Sequence, residues 1–356
     1  MGERVRIGVI GTGWWATQHH LPGLLADDRV AVTALADNDP AKLTAAGEAF
    51  GVDQRFDDPY ELISSGVVDG VVIAVPHAFH HRFAAAALDA GVHVLVEKPM
   101  TLTSADAFDL VSRAQSQRLH LVVGYTFQFT RHARRAREIV HGGEIGELRL
   151  VSALFSSMVE SYLRGRPGDY ADVFGFPITG PSASTYSDPV LSGGGQGQTQ
   201  VTHLMGMAFH VTGRHATQVT AQMSEFGLAV DLADAIAFRL DDGSVGTAAS
   251  TGSLPPYQTE RQSIHYFGSS GTLVQDLAAG TLVLDRAGET IEVEPPLDDP
   301  SERYPTHATA RGLVDLILGG HDNPGAGAAA ADTVAFIEAA YRSAVDGGRP
   351  VTPATR

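Results

Sequence analysis

The chain has 356 residues, more than one hydrophobic core usually spans, so we expect two domains. Its 25 Lys and Arg are outnumbered by 41 Asp and Glu, and the net charge of −16 argues against nucleic acid or an anionic membrane as a partner. There is no cysteine, no signal peptide and no apolar run of the ~18 residues that span a membrane, so we expect a cytoplasmic protein without disulfide or thiol chemistry.

The first predicted element is an apolar strand, Val5 to Ile10, that runs into Gly11-Thr12-Gly13-Trp14-Trp15-Ala16 and then a helix. In such a sequence Gly11 permits a tight turn, and Gly13 lets the backbone approach a pyrophosphate. Ala16 allows close packing of the helix on the strand. Because a helix N-terminus offers free N–H groups to phosphates, this pattern predicts a dinucleotide site.

The second strand, Val30 to Ala36, ends at Asp37 and Asn38. An acidic residue at this place accepts hydrogen bonds from the ribose 2′-hydroxyl and repels a 2′-phosphate. No arginine follows directly, so the sequence favours NAD(H) over NADP(H).

Two further buried strands follow, each at the start of a new strand–helix unit. Residues 70–75 lead to Pro76-His77 and a helix ending near Gly91, and residues 92–96 lead to Glu97-Lys98-Pro99. This alternation is typical of a doubly wound parallel sheet, whose ligands bind at the carboxyl ends of the strands.

Lysine is almost never buried unless it is paired or has a function, so Lys98 is a candidate active-site cation. Taken alone, the three residues would favour a surface ion pair.

The parallel part ends with a strand over residues 119–125, and a basic helix follows over residues 131–140. For its arginines a solvated helix face is favoured over phosphate binding. We therefore divide the chain into residues 1–125 and residues 126–356.

The second part contains strand patterns that suggest an antiparallel sheet, closed by two helices over residues 307–318 and 326–345. A long segment, residues 160–195, is rich in Gly, Pro, Ser and Tyr. Its aromatic residues suggest an ordered wall or lid over a ligand, or an oligomer contact. The predicted strands cover residues 147–158, 233–240, 245–251, 261–267, 271–275 and 281–285.

A second candidate for chemistry follows the glycine run at residues 193–195. Thr199 and His203 are four residues apart and share a helix face, which gives His203 a polar neighbour. Such a histidine can exchange protons near neutral pH, although an isolated histidine is more often structural, as we expect for His210. The histidine pairs at 19–20 and 80–81 lack ligand spacing, so no metal is predicted.

Together these motifs resemble the Gfo/Idh/MocA oxidoreductase family, which includes glucose–fructose oxidoreductase and inositol dehydrogenase. The resemblance implies α/β plus α+β architecture: an N-terminal Rossmann domain followed by an open-faced, mainly antiparallel sheet domain for substrate binding and oligomerisation. It further implies homodimers or homotetramers built on the exposed sheet face. The activity implied is NAD(H)-dependent transfer of a hydride between the nicotinamide and a secondary hydroxyl or ketone of a sugar, cyclitol or sugar derivative.

The resemblance also implies roles for individual residues. Lys98 and His203 match the catalytic lysine and histidine, and Pro99 matches a proline that often follows a cis peptide bond. Tyr125, Gln128, Gln198 and Thr199 are predicted substrate contacts. The predicted cofactor contacts are Gly11, Thr12, Gly13, Trp14, Trp15, Asp37, Asn38, Val75, Pro76, His80, Glu97 and Lys98.

One position departs from the family pattern. Many sugar and cyclitol dehydrogenases of the family carry an aspartate where this chain has Thr199, so the substrate is left open. Two alternatives of the same fold stay open as well. One is a glycosidase that uses the cofactor as a recycled redox relay, and the other is a non-catalytic NAD-binding sensor, which Thr199 slightly favours.

Overall fold

The computed structural model describes residues 4–178 and 180–355. The outer ends of the two predicted domains, residues 1–3 and 356, lie outside the described residues, as does Thr179 of the predicted segment 160–195. The described chain is organised around two β-sheets of six and eight strands.

The first sheet is parallel throughout, with strand order β3-β2-β1-β4-β5-β6. Its inner strands are buried on both faces, which explains their continuous Val and Ile runs. This confirms the prediction of a doubly wound sheet. The strands are β1 (Val5–Ile10), β2 (Val30–Ala36), β3 (Arg55–Phe56), β4 (Gly70–Ile73), β5 (His93–Val96) and β6 (Leu121–Val123).

Several of the helices between these strands begin at a residue whose side chain caps the first turn. Asp39 accepts hydrogen bonds from the N–H groups of Ala41 and Lys42, and Thr103 accepts one from Asp106. A π-helical turn, Ala16–His20, precedes the first of them. They are α1 (Leu21–Leu25), α2 (Pro40–Phe50), α3 (Pro59–Ser64), α4 (His80–Asp89) and α5 (Ser104–Gln117).

The second sheet has the order β14-β13-β12-β11-β7-β10-β9-β8. All its neighbouring strands run antiparallel except β7 and β10, which pair in parallel. This confirms the prediction of a mainly antiparallel sheet, and the one parallel pair joins strands that a long excursion of the chain separates. The strands are β7 (Leu148–Ser156), β8 (Ala216–Ser224), β9 (Ala233–Leu240), β10 (Val245–Thr251), β11 (Arg261–Gly268), β12 (Gly271–Asp276), β13 (Thr281–Arg286) and β14 (Glu289–Glu292).

One face of this sheet is buried under helices and the other is open. Along β9 and β10 buried and exposed residues alternate strictly, as expected for a one-sided sheet. Leu154 and Val245 stand on the open side, 37% and 40% exposed. The helices of this half are α6 (Arg131–His141), α7 (Glu160–Leu163), α8 (Ala171–Phe174), α9 (Ser184–Ser187), α10 (Pro189–Ser192), α11 (Thr202–Thr212), α12 (Pro300–Arg303), α13 (Ala308–Ile317) and α14 (Gly327–Val345).

Helix α14 joins the two halves. Ala330, Ala331 and Val334 pack in the core of the parallel sheet, while Phe336 and Ala340 pack in the core of the second sheet. The relative position of the two sheets is therefore fixed by a continuous apolar contact. None of the helices in the described residues has the length and apolarity needed to cross a membrane.

Candidate functional site

A cleft of about 800 Å³ runs between the carboxyl ends of the parallel strands and the buried face of the second sheet. One end is lined by the turn at Gly11 and Gly13, and its middle by Lys98 and His203. Gln262 of β11 lines the cleft as well, and so does Glu260, which directly precedes that strand. Open α/β sheets bind ligands at this edge, so the cleft is the candidate site.

The glycine turn leaves room for a ligand at one position and requires glycine at another. Gly11 has φ +91°, and a Cβ there would lie 2.4 Å from the carbonyl oxygen of Ala74. A Cβ on Gly13 would meet no atom within 4 Å. The turn is therefore an open cradle above a helix N-terminus, which fits a dinucleotide pyrophosphate.

Asp37 holds this cradle in shape. Its Oδ2 accepts hydrogen bonds from the Thr12 N–H at 2.7 Å and from the Thr12 hydroxyl at 2.9 Å. Its Oδ1 accepts one from the Asp39 N–H at 2.9 Å. Thr12 is fully buried and is not among the residues that line the cleft, so its side chain supports Asp37, and its contact with the cofactor stays a prediction. Asn38 lines the cleft beside Asp37, as does Lys42, a cation that the sequence did not single out.

Glu97 is a buried hydrogen-bond centre beneath the cleft. It accepts hydrogen bonds from Trp15 Nε1 at 2.9 Å, from His20 Nε2 at 2.8 Å and from the Lys98 N–H at 3.1 Å. Burial acts to raise the pKa of Glu97, but the His20 hydrogen bond and the nearby charges of His20 and Lys98 outweigh it and lower the pKa. The carboxylate thus stays ionised and joins the glycine-turn helix to the lysine strand.

His80 connects the two strand ends that flank the middle of the cleft. Its ring nitrogens lie 2.8 Å from the Pro99 carbonyl and 2.9 Å from the Val75 carbonyl. Val75, Pro76 and His80 all line the cleft. The Lys98–Pro99 peptide bond is cis, as the resemblance implies.

Lys98 extends from the end of β5 to the second sheet's helices. Its Nζ donates a hydrogen bond to the Thr199 carbonyl at 3.0 Å. Burial lowers the pKa of Lys98 to about 8, against the opposing charge of Glu97. The ammonium is therefore held near the middle of the cleft and titrates close to physiological pH.

His203 faces the same part of the cleft inside a cage of rings. Its ring centroid lies 5.6 Å from that of Phe127, 6.4 Å from Phe155 and 6.2 Å from Tyr304. Its Nδ1 is buried without a hydrogen-bond partner in the described chain. Burial, and then the charge of Lys98, lower the pKa of His203 well below its ordinary value. The imidazole is neutral and able to accept a proton.

Asp231, which no sequence motif identifies, positions the turn that leads into the helix of His203. Its Oδ1 accepts hydrogen bonds from the Gly195 N–H and the Tyr341 hydroxyl, each at 2.7 Å, and its Oδ2 accepts one from the Gly197 N–H at 2.6 Å. The following π-helical turn, Gly197–Val201, presents the Thr199 carbonyl to Lys98.

Three predicted substrate contacts do not line the cleft. The Tyr125 hydroxyl is buried 2.8 Å from Thr202 Oγ1, and Gln128 Nε2 donates to the Gly206 carbonyl at 2.9 Å. Both side chains pack under α11, and Gln198 is likewise buried outside the cleft lining. The contacts of Tyr125, Gln128 and Gln198 with substrate therefore stay predictions, and in this structure the three side chains support the elements around the cleft.

Two family models match this chain. The model described as "Oxidoreductase family, NAD-binding Rossmann fold" covers residues 5–125, and "GFO/IDH/MocA C-terminal domain" covers residues 133–274. The two together span most of the sequence, in the order found here. The chain belongs to the Gfo/Idh/MocA oxidoreductase family.

Individual relatives match different shares of this chain. A 1-carboxy-3-chloro-3,4-dihydroxycyclohexa-1,5-diene dehydrogenase of Comamonas testosteroni is 37% identical over 150 residues, 42% of this chain and 38% of that protein. The chain spans less than half the length of that relative and of several others. Myo-inositol 2-dehydrogenase of Thermotoga maritima is 27% identical over 289 residues, 79% of this chain and 78% of that protein. An aldose–aldose oxidoreductase of Caulobacter crescentus, complexed with glycerol, has TM-score 0.78 at 23% identity, covering 98% of this chain and 100% of that one, which shows the fold alone.

At the position where Gfo/Idh/MocA sugar dehydrogenases often carry aspartate, Thr199 lines the cleft but its hydroxyl donates to the Gly195 carbonyl at 2.8 Å. The side chain therefore supports the turn from within, and its backbone carbonyl faces Lys98. No cluster of three or more possible metal ligands occurs among residues 4–178 and 180–355.

The segment over residues 160–195 forms an aromatic wall of short helices in this Gfo/Idh/MocA protein. Trp14 stacks on Tyr162 with centroids 6.2 Å apart and meets the edge of Phe176 at 5.9 Å. Tyr162 also packs on Tyr170 and Tyr186. Tyr162, Phe174 and Tyr186 of this segment line the cleft, and both roles, a wall or lid over a ligand and an oligomer contact, stay predictions.

A methyl group at Gly195 tests the role of the glycine run. Its Cβ would lie 2.0 Å from the Asp231 carbonyl oxygen, a backbone atom that cannot move aside alone. We expect Gly195→Ala to lower the free energy of unfolding in urea by about 1–3 kcal/mol and to abolish the Lys98–Thr199 contact. Gly168→Ala is the matched control, because a Cβ there meets nothing within 4 Å. Equal stability of the two variants would contradict the argument.

Proposed function

We propose that this protein is an NAD(H)-dependent oxidoreductase acting on a secondary hydroxyl, or the corresponding ketone, of a sugar or cyclitol. The observation that carries the proposal is the meeting of Lys98 and His203 in the middle of a cleft whose one end is the Gly11–Gly13 cradle. The curated relatives named above are dehydrogenases of ring compounds, which supports this substrate class.

Gly11, Gly13, Asp37 and Asn38 would hold the nucleotide half of the cofactor. Val75, Pro76 and Trp15 would line its path toward Lys98. The nicotinamide supplies the redox chemistry by taking or returning a hydride. The residues of this chain bind and orient the cofactor and substrate and move the proton.

Lys98 and His203 divide the acid–base work. In oxidation the neutral imidazole of His203 accepts the hydroxyl proton, and the Lys98 ammonium stabilises the negative charge that develops on the oxygen. In reduction His203 returns the proton. The Thr199 carbonyl orients the ammonium, and the ring cage around His203 excludes water from the proton transfer.

The test is absorbance at the NADH wavelength with NAD⁺ and a panel of free sugars, inositols, aldonolactones and simple glycosides, repeated with NADP⁺. NADH formation with one or a few polyols supports the proposal. Glycoside cleavage without net NADH would instead assign the redox-assisted glycosidase. If neither NADH formation nor glycoside cleavage is detected although NADH binds, the result would favour the non-catalytic sensor.

The carboxylate of Asp37 predicts the cofactor preference. Because it repels a 2′-phosphate, we expect Asp37→Asn to reduce the ratio of kcat/KM for NAD⁺ over NADP⁺ by about tenfold. Asn still accepts hydrogen bonds from Thr12, so the cradle should survive. Asp39→Asn is the control, since Asp39 caps α2 and pairs with Lys42 at 3.7 Å. A ratio unchanged in Asp37→Asn would remove Asp37 from cofactor selection.

The lowered pKa of Lys98 predicts a pH dependence. The charged ammonium is the active form of Lys98, so kcat/KM should be constant at pH values below the pKa of about 8. Above that pKa, kcat/KM should fall about tenfold for each pH unit. In Lys98→Arg, whose guanidinium stays charged, the remaining activity should show no such break. A rate that rises through pH 8 would make neutral Lys98 the proton acceptor instead.

A further inference from the structure

Glu260 lines the same cleft as the glycine cradle, Lys98 and His203. It stands directly before β11, and the buried amide of Gln262 lines the cleft beside it. Gln262 pairs in the sheet with Phe155, whose ring centroid lies 6.4 Å from that of His203. Glu260 is therefore two residues from a strand position that packs beside the predicted proton acceptor.

The carboxylate has few partners for a group in such a place. One oxygen accepts a long hydrogen bond from the Met158 N–H at 3.4 Å, and the other accepts one from Gln262 Nε2 at 2.5 Å. No Lys, Arg or His of the described chain forms an ion pair with it. Burial raises the pKa of Glu260, since the hydrogen bonds from Met158 and Gln262 only partly offset the loss of water around the charge.

A half-buried carboxylate without a nearby cation lowers the stability of the folded protein, because the charge has lost part of its hydration. Hydrogen-bond donors of a bound ligand can replace that hydration. Resting on the proposed function, we infer that Glu260 is a specificity-determining residue that accepts hydrogen bonds from hydroxyl groups of a neutral polyol. The negative charge of Glu260 would repel a phosphate or carboxylate group of a ligand bound beside it. Arg303, whose aliphatic carbons pack against Gly280, also lines the cleft and can donate hydrogen bonds to further hydroxyl groups.

The test compares Glu260→Gln with the wild type on the polyol found in the panel and on its mono-deoxy analogues. We expect Glu260→Gln to raise KM by about 10–100-fold, with kcat and the NADH dissociation constant changed less than about threefold. With the wild type, the analogue that lacks the contacting hydroxyl should show a similar rise in KM over the parent polyol. With Glu260→Gln, the same analogue should raise KM little further. Glu289→Gln, an exposed change on β14 of the same sheet, is the control and should match the wild type.

An unchanged KM, or equal losses for every deoxy analogue in both proteins, would overturn the assignment. If no panel compound is oxidised, the proposed function fails separately. Glu260 is then tested by calorimetric binding of myo-inositol and D-glucose to the NADH complex. Weaker binding to Glu260→Gln than to the wild type would support the inference, and equal or absent binding in both would overturn it.

Discussion

Replacing Lys98 with methionine is expected to lower kcat/KM by about 10²–10⁴-fold while leaving NADH binding nearly intact. Methionine keeps most of the side-chain volume but removes the ammonium that contacts the Thr199 carbonyl. The loss should fall mainly on kcat, because the charge is needed most when negative charge develops on the substrate oxygen. Steady-state kinetics and calorimetric NADH titration measure the two quantities.

Lys42→Met is the matched control for this experiment. Lys42 also lines the cleft, but at the Asp37 end, so its removal should leave kcat at saturating cofactor within about twofold. An unchanged rate in Lys98→Met would refute the catalytic assignment. A loss of NADH binding that accounts for the whole effect would make Lys98 a cofactor residue only.

Replacing His203 with asparagine should lower kcat/KM by about 10²–10³-fold. Asparagine can hydrogen-bond to a hydroxyl but cannot accept its proton at neutral pH. The variant should also lose activity in both directions, since the same group gives the proton back in reduction. Because Lys98 and His203 act on one oxygen, the double variant should cost much less than the product of the two single effects.

His210→Asn provides the comparison on the same helix. His210 lies seven residues beyond His203 and outside the cleft lining, so kcat/KM should change less than about twofold. If both histidine variants lost the same activity, the effect would come from damage to α11 rather than from a missing base. Multiplicative losses in the double variant would mean that the two groups act in separate steps.

The parts of the site that sequence reveals are those built from consecutive residues. The turn at Gly11–Gly13 and the acid at Asp37 each sit directly after a buried strand, and so does the Glu97-Lys98 pair. Parallel topology then brings strand ends together without further information. The family resemblance contributed His203, which sequence pattern alone would have read as structural.

The parts that stayed hidden depend on contacts between distant segments. His20 meets Glu97 across 77 residues and Asp231 reaches Gly195 across 36. No local spacing marks either pair, because hydrogen-bond partners need only be near in space. Helix or strand periodicity likewise could not show that Tyr125 and Gln128 turn inward.

The missed strand pairing has a similar origin. β8 is absent from the predicted strands, and the prediction of a mainly antiparallel sheet does not say where a parallel pair occurs, yet β10 pairs with β7 in parallel. Hairpins are encoded by their turn residues, as at residues 241–244 between β9 and β10. A parallel pair between strands far apart in the chain has no such turn and is specified only by the burial of the whole sheet.

The chain has two lysines, Lys42 and Lys98, and both line the cleft. A mild acylating reagent therefore finds its side-chain targets only at the ligand site, while 23 of the 25 cationic side chains are arginines that do not react. The pKa of about 8 makes Lys98 the more nucleophilic amine near neutral pH. Mass spectrometry of two peptides, with and without dinucleotide, would thus report cleft occupancy in the unmodified protein.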